Sequence, residues 1–234
     1  MTESATLQTG LSNNELGELR SLSEDSSRET EKRSLRLAFL TTEYPKASHT
    51  FVRRELLAVE KLGHEIQRLS IRDALAACVD PADKAEAEKT TICLNQSKLG
   101  MVASALKVAV TRPRRFLDAV RTTYQLWKAS DRGWIKHVAY LVEAASLLPV
   151  LKRDNVEHIH VHFGKNAADV ALMIKKLGGP GYSLMIHGPG EFDGPRTFSL
   201  GRKVAESRFT VAISHFAAGQ LRRWVEFKHW NKLH

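Results

Sequence analysis

Residues 35–72 combine the signals of a strand, a loop, a helix and a second strand in one segment, LRLAFLTTEYPKASHTFVRRELLAVEKLGHEIQRLSIR. The apolar run 35–42 predicts a buried strand, and a polar turn containing Pro45 follows it. Apolar residues then recur at helical spacing until Gly63, which fits the left-handed position that ends a helix. The alternation over 64–71 predicts the second strand. This order of elements predicts a parallel sheet in an α/β domain.

The alternation of strand and helix returns after residue 156. The predicted strands are 156–163, 182–186 and 208–213, and the predicted helices are 166–177, capped by Asn166, 198–206 and 214–224. Between the two regions, residues 81–153 are predicted to form a helical insertion that is broken at Pro113 and Gly133 and contains no strand. Because helices separate the strands, the sequence predicts a doubly wound, Rossmann-like parallel sheet over residues 35–224.

The amino-terminal segment differs from the rest of the chain in composition and charge. Residues 1–34 are rich in Ser, Glu, Asn and Thr, carry a net charge of −3, and are predicted to be a disordered polar leader, whereas the remainder carries +12. No apolar run approaches the roughly 18 to 20 residues that cross a bilayer, and no secretion signal is evident. We therefore expect a cytoplasmic protein in which Cys78 and Cys93 are reduced thiols.

The segment 98–136 is strongly basic, with 9 Lys or Arg against 2 Asp, and apolar and tryptophan residues are interleaved with the charges. A solvated helical face explains this pattern. So does docking on an anionic membrane, where basic side chains meet phosphates and tryptophans lie at the headgroup level. Nucleic acid is a third interpretation, but no helix-turn-helix, zinc or RNA-binding sheet signature accompanies the charge, so we expect no nucleic-acid partner.

The loops that follow the predicted strands are candidate sites, because ligands of doubly wound sheets bind at the carboxyl ends of the strands. The loops 41–50, 163–166 and 187–195 qualify, and Ser214 lies on the same edge. Ser48 and Thr50 are candidate caps of a helix that could bind phosphate at its amino terminus, and an ordinary capped helix is the alternative. The first loop lacks both GxGxxG and a lysine-bearing phosphate loop, so neither a dinucleotide enzyme nor an ordinary ATPase is favoured.

Three histidines, His158, His160 and His162, alternate along one predicted strand and should face the same side. The outer two would lie roughly 13 Å apart, too far to share an ion whose bonds are about 2 Å long. Neighbouring pairs remain candidates, but no acidic or cysteine residue is spaced to complete a site. We therefore expect packed or hydrogen-bonded histidines and no metal.

His187 ends a predicted strand and begins the loop HGPGEFDGP. A histidine at this point can donate a hydrogen bond to a substrate hydroxyl or phosphate near neutral pH, or it can merely close the turn. Glu191 and Asp193 are candidate general bases, although residues of this kind are more often turn residues that bind local backbone groups.

Three segments carry a resemblance to a known family: EYPKASHTFVRRELLAVEKLGHEI at 43–66, HIHVHFGKNAADVA at 158–171, and SLMIHGPGEFDGPRTFSLGRKVAESRFTVAISHFAAGQL at 183–221. In this order, and over about half the chain, they resemble the amino-terminal half of the family 4 retaining glycosyltransferases of the bacterial exopolysaccharide type. The resemblance implies a two-Rossmann, GT-B enzyme that transfers a hexose from a nucleotide-diphosphate sugar to a lipid-linked or polysaccharide acceptor. In that family the amino-terminal domain holds the acceptor, and the carboxy-terminal domain holds most of the donor.

The resemblance also implies roles for individual residues. His187 resembles the family histidine that reaches the transferred sugar and is the candidate catalytic residue. Relatives often have Ser-Glu-Thr where this chain has Ser48-His49-Thr50. The candidate substrate-binding residues are Tyr44, Ser48, His49, Thr50, His162, Gly164, Gly188, Glu191, Asp193 and Ser214. The implied partners are a nucleotide sugar, a lipid-linked saccharide and an anionic membrane surface at the inner face of the cytoplasmic membrane, and no cofactor is implied.

Residues 225–234 resemble the start of an interdomain segment, and the chain ends where relatives enter their second domain. We therefore expect an incomplete enzyme with little or no transferase activity by itself. The alternative function is a non-catalytic basic adaptor that binds membranes or polyanions through the same fold. The sequence does not indicate the sugar, the acceptor or the oligomeric state.

Overall fold

A computed structural model describes residues 33–234, of which 35–234 form one compact unit. The leader predicted over 1–34 lies outside the described residues except for its last two positions. The strands are β1 (Arg36–Glu43), β2 (Glu65–Arg72), β3 (Thr90–Ile92), β4 (His158–His162), β5 (Gly181–Ile186) and β6 (Thr210–Ala212). The helices are α1 (Thr50–Lys61), α2 (Pro81–Glu88), α3 (Lys98–Thr111), α4 (Pro113–Lys128), α5 (Trp134–Arg153), α6 (Asn166–Lys176), α7 (Pro189–Phe192), α8 (Leu200–Glu206) and α9 (His215–Arg222). Short 3-10 turns cover Ala47–His49, Leu75–Ala77, Cys93–Asn95 and Phe227–Lys232.

The six strands form one parallel sheet in the order β3-β2-β1-β4-β5-β6. Strands β2 and β3 follow β1 on one side of the sheet. The chain then returns to the centre, where β4 pairs with the other side of β1, and β5 and β6 follow on that side. This is the strand order of the Rossmann fold, and it confirms the predicted doubly wound α/β sheet. The reversal between β1 and β4 opens a crevice at the carboxyl ends of these two strands.

The region 81–153 is helical with breaks at Pro113 and Gly133, as predicted, because α4 begins at Pro113 and α5 begins just after Gly133. The prediction that this region contains no strand is wrong. Residues 90–92 form β3, which pairs with Arg68–Ser70 at the edge of the sheet. An edge strand of three residues needs no apolar run, so hydropathy does not reveal it.

The expectation that no segment is long and apolar enough to cross a bilayer is also wrong. By length and composition, helix α5 passes that test. Half of its apolar window is buried within the protein, where α5 packs against α6, α3 and α4. This is the packing of a central helix in a protein core, and Leu147 and Leu151 are almost completely buried there. Both cysteines are free and buried, and burial raises the pKa of Cys93 to about 11, so its thiol stays protonated.

Candidate functional site at the carboxyl edge of the sheet

A pocket of about 660 Å³ lies at the carboxyl edge of the sheet. It receives residues from the loop after β1, from α1, and from the ends of β4, β5 and β6, so the three predicted loops converge. This volume is typical of sites that bind small molecules, which measure about 300 to 1,000 Å³. Its lining residues are Ser48, His49, Phe51, Glu55, Phe163, Met185, His187 and Ile213.

His187 lies in an aromatic environment at the end of β5. The centre of its ring is 4.6 Å from that of Phe51 and 4.7 Å from that of Phe163. Its Nε2 lies 3.1 Å from Nδ1 of His162, so a hydrogen bond joins the two rings and Nδ1 of His187 remains for a ligand. Burial lowers the pKa of His187 to about 4. At neutral pH this ring is therefore an uncharged hydrogen-bonding group and not a source of protons.

The backbone bends sharply where β4 and β5 enter the pocket. Phe163 has a φ of 71°, in the left-handed region, which costs a residue other than glycine about 1 to 3 kcal/mol. Gly188, directly after His187, has a φ of 151°. Strained residues of this kind persist where the surrounding structure holds them, and they concentrate at functional sites.

Glu191 holds the loops after β4 and β5 together. Its side chain is buried; one carboxylate oxygen accepts the N–H of Gly164, and the other accepts those of His187 at 2.7 Å and Gly188 at 3.1 Å. Burial raises the pKa of Glu191, while the three N–H groups oppose the increase. Because backbone N–H groups engage both oxygens, Glu191 positions the loops, and it is not among the residues that line the pocket.

Gly164 has a steric reason to be glycine and supplies only its backbone. A Cβ at this position would lie 2.5 Å from Cδ1 of Leu200 and 3.3 Å from the Glu191 carboxylate. Gly164, a predicted substrate-binding residue, is thus closely packed and is not among the residues that line the pocket. Asp193 is exposed, follows α7, and is not among the lining residues.

A buried ion pair fixes the loop after β4 from below. Lys203, which is completely buried, places its Nζ 2.9 Å from Asp169 Oδ1 and donates to the carbonyls of Gly164 at 3.0 Å and Lys165 at 3.1 Å. Burial lowers the pKa of Lys203 and raises that of Asp169, and their mutual attraction opposes both changes. The sequence analysis missed this pair, although an aspartate within the apolar run AADVALMI was a signal.

Tyr44, a predicted substrate-binding residue, is buried and is not among the residues that line the pocket. Its hydroxyl donates to Glu86 Oε2 at 2.8 Å, and the same carboxylate accepts from the buried Arg68. Burial raises the pKa of Tyr44 far above its ordinary value. The residue therefore stabilises the loop after β1 from within an ion-pair network.

The Ser48-His49-Thr50 turn also differs from expectation, because neither hydroxyl caps α1. His49 precedes the helix and makes no capping hydrogen bond to it; instead, its Nδ1 lies 3.2 Å from the Glu43 carbonyl, so the ring donates there. Burial lowers the pKa of His49. Ser48 and His49 line the pocket, whereas Thr50 is exposed and does not.

Ser214 does act as a helix cap. Its hydroxyl accepts the N–H of Ala217 at 3.2 Å and so holds the first turn of α9. Ser214 is exposed, and the pocket is lined by the preceding residue, Ile213. Ile213, and not the predicted Ser214, therefore lies in the lining of the pocket.

Glu55, His160 and His162 form a cluster beside the pocket, hereafter the histidine cluster. Their nearest ligand atoms all lie within 4.8 Å of one another. The alternating histidines share one face as predicted, and Ser183 Oγ lies 2.8 Å from both His160 Nδ1 and His158 Nε2. The expectation that no acidic group accompanies them is wrong, because Glu55 approaches from α1.

His162 itself is fully buried and lines no part of the pocket. Burial lowers its pKa to about 2, so the ring is neutral. His162 is thus linked to the pocket through its hydrogen bond to His187 and does not itself line it.

Several pocket residues were not singled out from the sequence. Phe51 and Glu55 lie one helical turn apart on α1 and therefore face the same side, which the helical spacing after the candidate loop could have revealed. The other missed residues are Phe163, Met185 and Ile213. All three lie at or near strand ends, where the rule for parallel sheets applies.

The comparisons with known proteins add no assignment. No protein-family model matches the chain, and no curated protein matches it.

Proposed function

We propose that this chain is the acceptor-side half of a retaining glycosyltransferase of the GT-B type, similar to family 4, that acts in exopolysaccharide synthesis. It would help transfer a hexose from a nucleotide-diphosphate sugar to a lipid-linked or polysaccharide acceptor. The observation that carries the proposal is the pocket. The three segments that resemble family 4 meet at it, and a polar group, His187, packs against two aromatic rings.

His187 would orient the transferred sugar. Because its ring is neutral and Nε2 is engaged with His162, one nitrogen, Nδ1, can bond a hydroxyl or phosphate oxygen. Phe51 and Phe163 would supply apolar surface for the C–H face of a sugar ring. Ser48 and His49 add further polar groups to the lining of the pocket. None of these steps requires a cofactor.

The pocket is open, and the described residues form one sheet with one wall of a crevice. Retaining transfer needs stabilisation of the charge on the departing diphosphate and exclusion of water. In our proposal a second Rossmann-like domain supplies both, so we expect the 234-residue chain to show little or no transfer alone.

Helices α3 and α4 would hold the enzyme at the inner face of the cytoplasmic membrane. Each exposes apolar side chains at helical spacing, and Leu99 and Val110 of α3 are more than four-fifths exposed. Exposed lysines and arginines accompany them, which is the composition of a surface that docks on anionic lipid. The apolar members of this α3–α4 surface are Leu99, Val102, Leu106, Val110, Leu117, Val120 and Tyr124, and the basic members are Lys98, Lys107, Arg114, Arg121 and Lys128.

The transferase proposal is tested by joining residues 1–234 to the donor-binding domain of a family 4 enzyme and measuring transfer of labelled hexose. We expect His187→Ala to lower the rate by about 100-fold or more, the usual effect of removing one oriented hydrogen-bonding group. The matched control is His64→Gln, because His64 lies at the opposite edge of the sheet, where its Nδ1 accepts the N–H of Leu35. Equal rates for His187→Ala and the unsubstituted protein would contradict the assignment.

The membrane contact is tested by flotation with vesicles that contain or lack phosphatidylglycerol. We expect binding only to the anionic vesicles, and we expect Lys98→Glu/Lys107→Glu/Lys128→Glu to weaken it by at least tenfold, since each lysine near such a surface contributes about 1 kcal/mol. Lys61→Glu/Lys84→Glu/Lys152→Glu makes the same change of charge at exposed positions outside α3 and α4. Equal partitioning into both kinds of vesicle would remove the membrane from the proposal.

The exposed α3–α4 surface also favours a second function, a non-catalytic adaptor on membranes or polyanions. The two experiments together separate the functions. An adaptor would bind anionic vesicles and yield no His187-dependent transfer in the joined protein, whereas a transferase would show both properties.

A further inference from the structure

We propose that the histidine cluster is a binding site for one divalent transition-metal ion, for which zinc is the best-suited probe, with Glu55, His160 and His162 as its protein ligands. This inference goes beyond the proposed function and does not depend on it. Two imidazoles and one carboxylate, with a further position open to solvent or substrate, are a ligand set found in zinc sites.

The positions of the ligand atoms support the proposal. Glu55 Oε1 lies 3.2 Å from His160 Nε2, and Glu55 Oε2 lies 3.8 Å from His162 Nε2. Ligands of a tetrahedral ion with bonds of about 2.0 to 2.2 Å are roughly 3.3 to 3.6 Å apart. The three ligand atoms lie within 4.8 Å of one another, so the longest distance between them would have to shorten by about an ångström when an ion binds. The partly exposed side chain of Glu55 has the freedom to move.

The second observation is that both imidazole nitrogens facing Glu55 are orphaned. Nε2 of His160 and Nε2 of His162 are buried and have no hydrogen-bond partner within residues 33–234. The contact of His160 with Glu55 is short but lacks hydrogen-bond geometry, and that of His162 is too long for one. Buried polar atoms are rarely left unsatisfied, so two of them facing one carboxylate point to a ligand.

The outer contacts of the cluster also suit a metal site. Histidine ligands of metals usually bond a second group through the nitrogen that does not bind the ion, which fixes the orientation of the ring. His160 does this through Ser183 at 2.8 Å, and His162 through His187 at 3.1 Å. Glu55 also lines the pocket, which gives an ion a route in and leaves a position for water.

Occupation of the site would determine how His187 meets a ligand. When Nε2 of His162 gives its lone pair to an ion, the proton of that neutral ring must lie on Nδ1, which then donates to Nε2 of His187. The proton of His187 must then lie on its own Nδ1. The ring that lines the pocket would thus be fixed as a hydrogen-bond donor to an oxygen atom.

The test is binding of Zn²⁺ to the untagged, chelator-stripped 234-residue chain, followed by calorimetry and by the visible absorption of Co²⁺ as a substitute. We expect one ion per chain and a loss of affinity of at least tenfold in Glu55→Gln and in His162→Gln. His158→Gln is the matched control, since His158 lies on the same face of β4 and bonds the same serine but is outside the cluster. We expect its affinity to equal that of the unsubstituted chain.

Absence of stoichiometric binding would overturn the proposal, and so would equal affinity in Glu55→Gln and the unsubstituted chain. An equal loss in His158→Gln would also overturn it, because the ion would then bind elsewhere on the strand. If His162→Gln does not fold, Glu55→Gln still decides, because this side chain is partly exposed. None of these measurements uses a sugar or an acceptor, so failure here leaves the proposed transferase untouched.

Discussion

The loops beneath the pocket and the histidine cluster beside it lie at the same edge of the sheet, but they differ in how buried polar groups are satisfied. Beneath the pocket, Glu191 accepts three backbone N–H groups, and Lys203 bonds two carbonyls and Asp169. In the cluster, two imidazole nitrogens have no hydrogen bond within the described residues. At this edge of the sheet, the groups whose hydrogen bonds are satisfied hold the loops in place, whereas the two orphaned nitrogens are available to a ligand.

The largest expected effect comes from breaking the buried pair. Lys203→Met removes the cation, leaves the Asp169 carboxylate buried and unpaired, and should lower the free energy of unfolding by about 3 to 5 kcal/mol. Urea denaturation measures this loss, and Lys203→Met/Asp169→Leu should recover most of it. A loss below about 1 kcal/mol in the single variant would mean that this pair is not part of the scaffold.

Glu143 is a buried carboxylate that does not line the pocket, and it provides a second case of a buried polar group without a partner among the described residues. Burial raises its pKa from 4.5 to about 7, and its Oε2 has no partner in the described part of the chain. Because the pKa of Glu143 is higher in the folded protein than in the unfolded chain, protonated Glu143 favours folding. This contribution to the free energy of unfolding is complete below pH 4.5 and is lost as the pH rises from 4.5 through about 7.

We therefore expect Glu143→Gln to be more stable than the unsubstituted chain at pH 8, by about 3 kcal/mol at most, and similar to it at pH 4. Thermal melts at the two pH values provide the measurement. A difference in stability between the two proteins that is the same at both pH values would contradict the raised pKa of Glu143.

Glu191→Gln tests whether the hydrogen bonds of the Glu191 carboxylate hold the loops beneath the pocket. A glutamine can replace only one of the two accepting oxygens, so at least one buried N–H loses its partner, at about 1 to 3 kcal/mol. Chemical denaturation should show this loss, and amide exchange should speed up at Gly164 or at His187 and Gly188. Unchanged exchange at all three amides would show that the carboxylate does not hold these loops.

The smallest effect on stability should come from Glu55→Gln. Its side chain is partly exposed and makes no hydrogen bond to the orphaned nitrogens, so we expect a change below about 1 kcal/mol. The same substitution should weaken Zn²⁺ binding at least tenfold, which separates binding from folding. A large loss of stability with unchanged metal affinity would reverse the comparison and make the cluster part of the scaffold.

The fold was accessible from the sequence because its signals are local. Helical spacing, the alternation over 64–71 and the glycine after α1 predict their elements without knowledge of distant residues, and Gly63 and Gly178 do have positive φ values. Boundaries differ by a few residues, β3, which carries no apolar run, was missed, and the short helix α7 lies within the segment 187–195 that was predicted as a loop. The rule for carboxyl ends of strands then pointed to the edge of the sheet at which the pocket lies.

The individual site residues were less accessible because their roles depend on distant partners. Tyr44 and Glu191 have suitable chemistry at suitable positions, but Glu86 and three backbone amides occupy their polar groups. Glu55 joins histidines more than 100 positions away in the chain, and spacing within one strand cannot reveal this. Packing in three dimensions decides such cases.

The most direct test of the central claim is to map the binding of a polyprenyl-diphosphate saccharide analogue, presented in neutral detergent, by ¹H–¹⁵N chemical shifts of the 234-residue chain. We expect saturable shifts at the amides of Ser48, Phe163, His187 and Ile213, and their loss in His187→Ala but not in His64→Gln. Shifts confined to α3 and α4, or none, would show that the pocket is not an acceptor site.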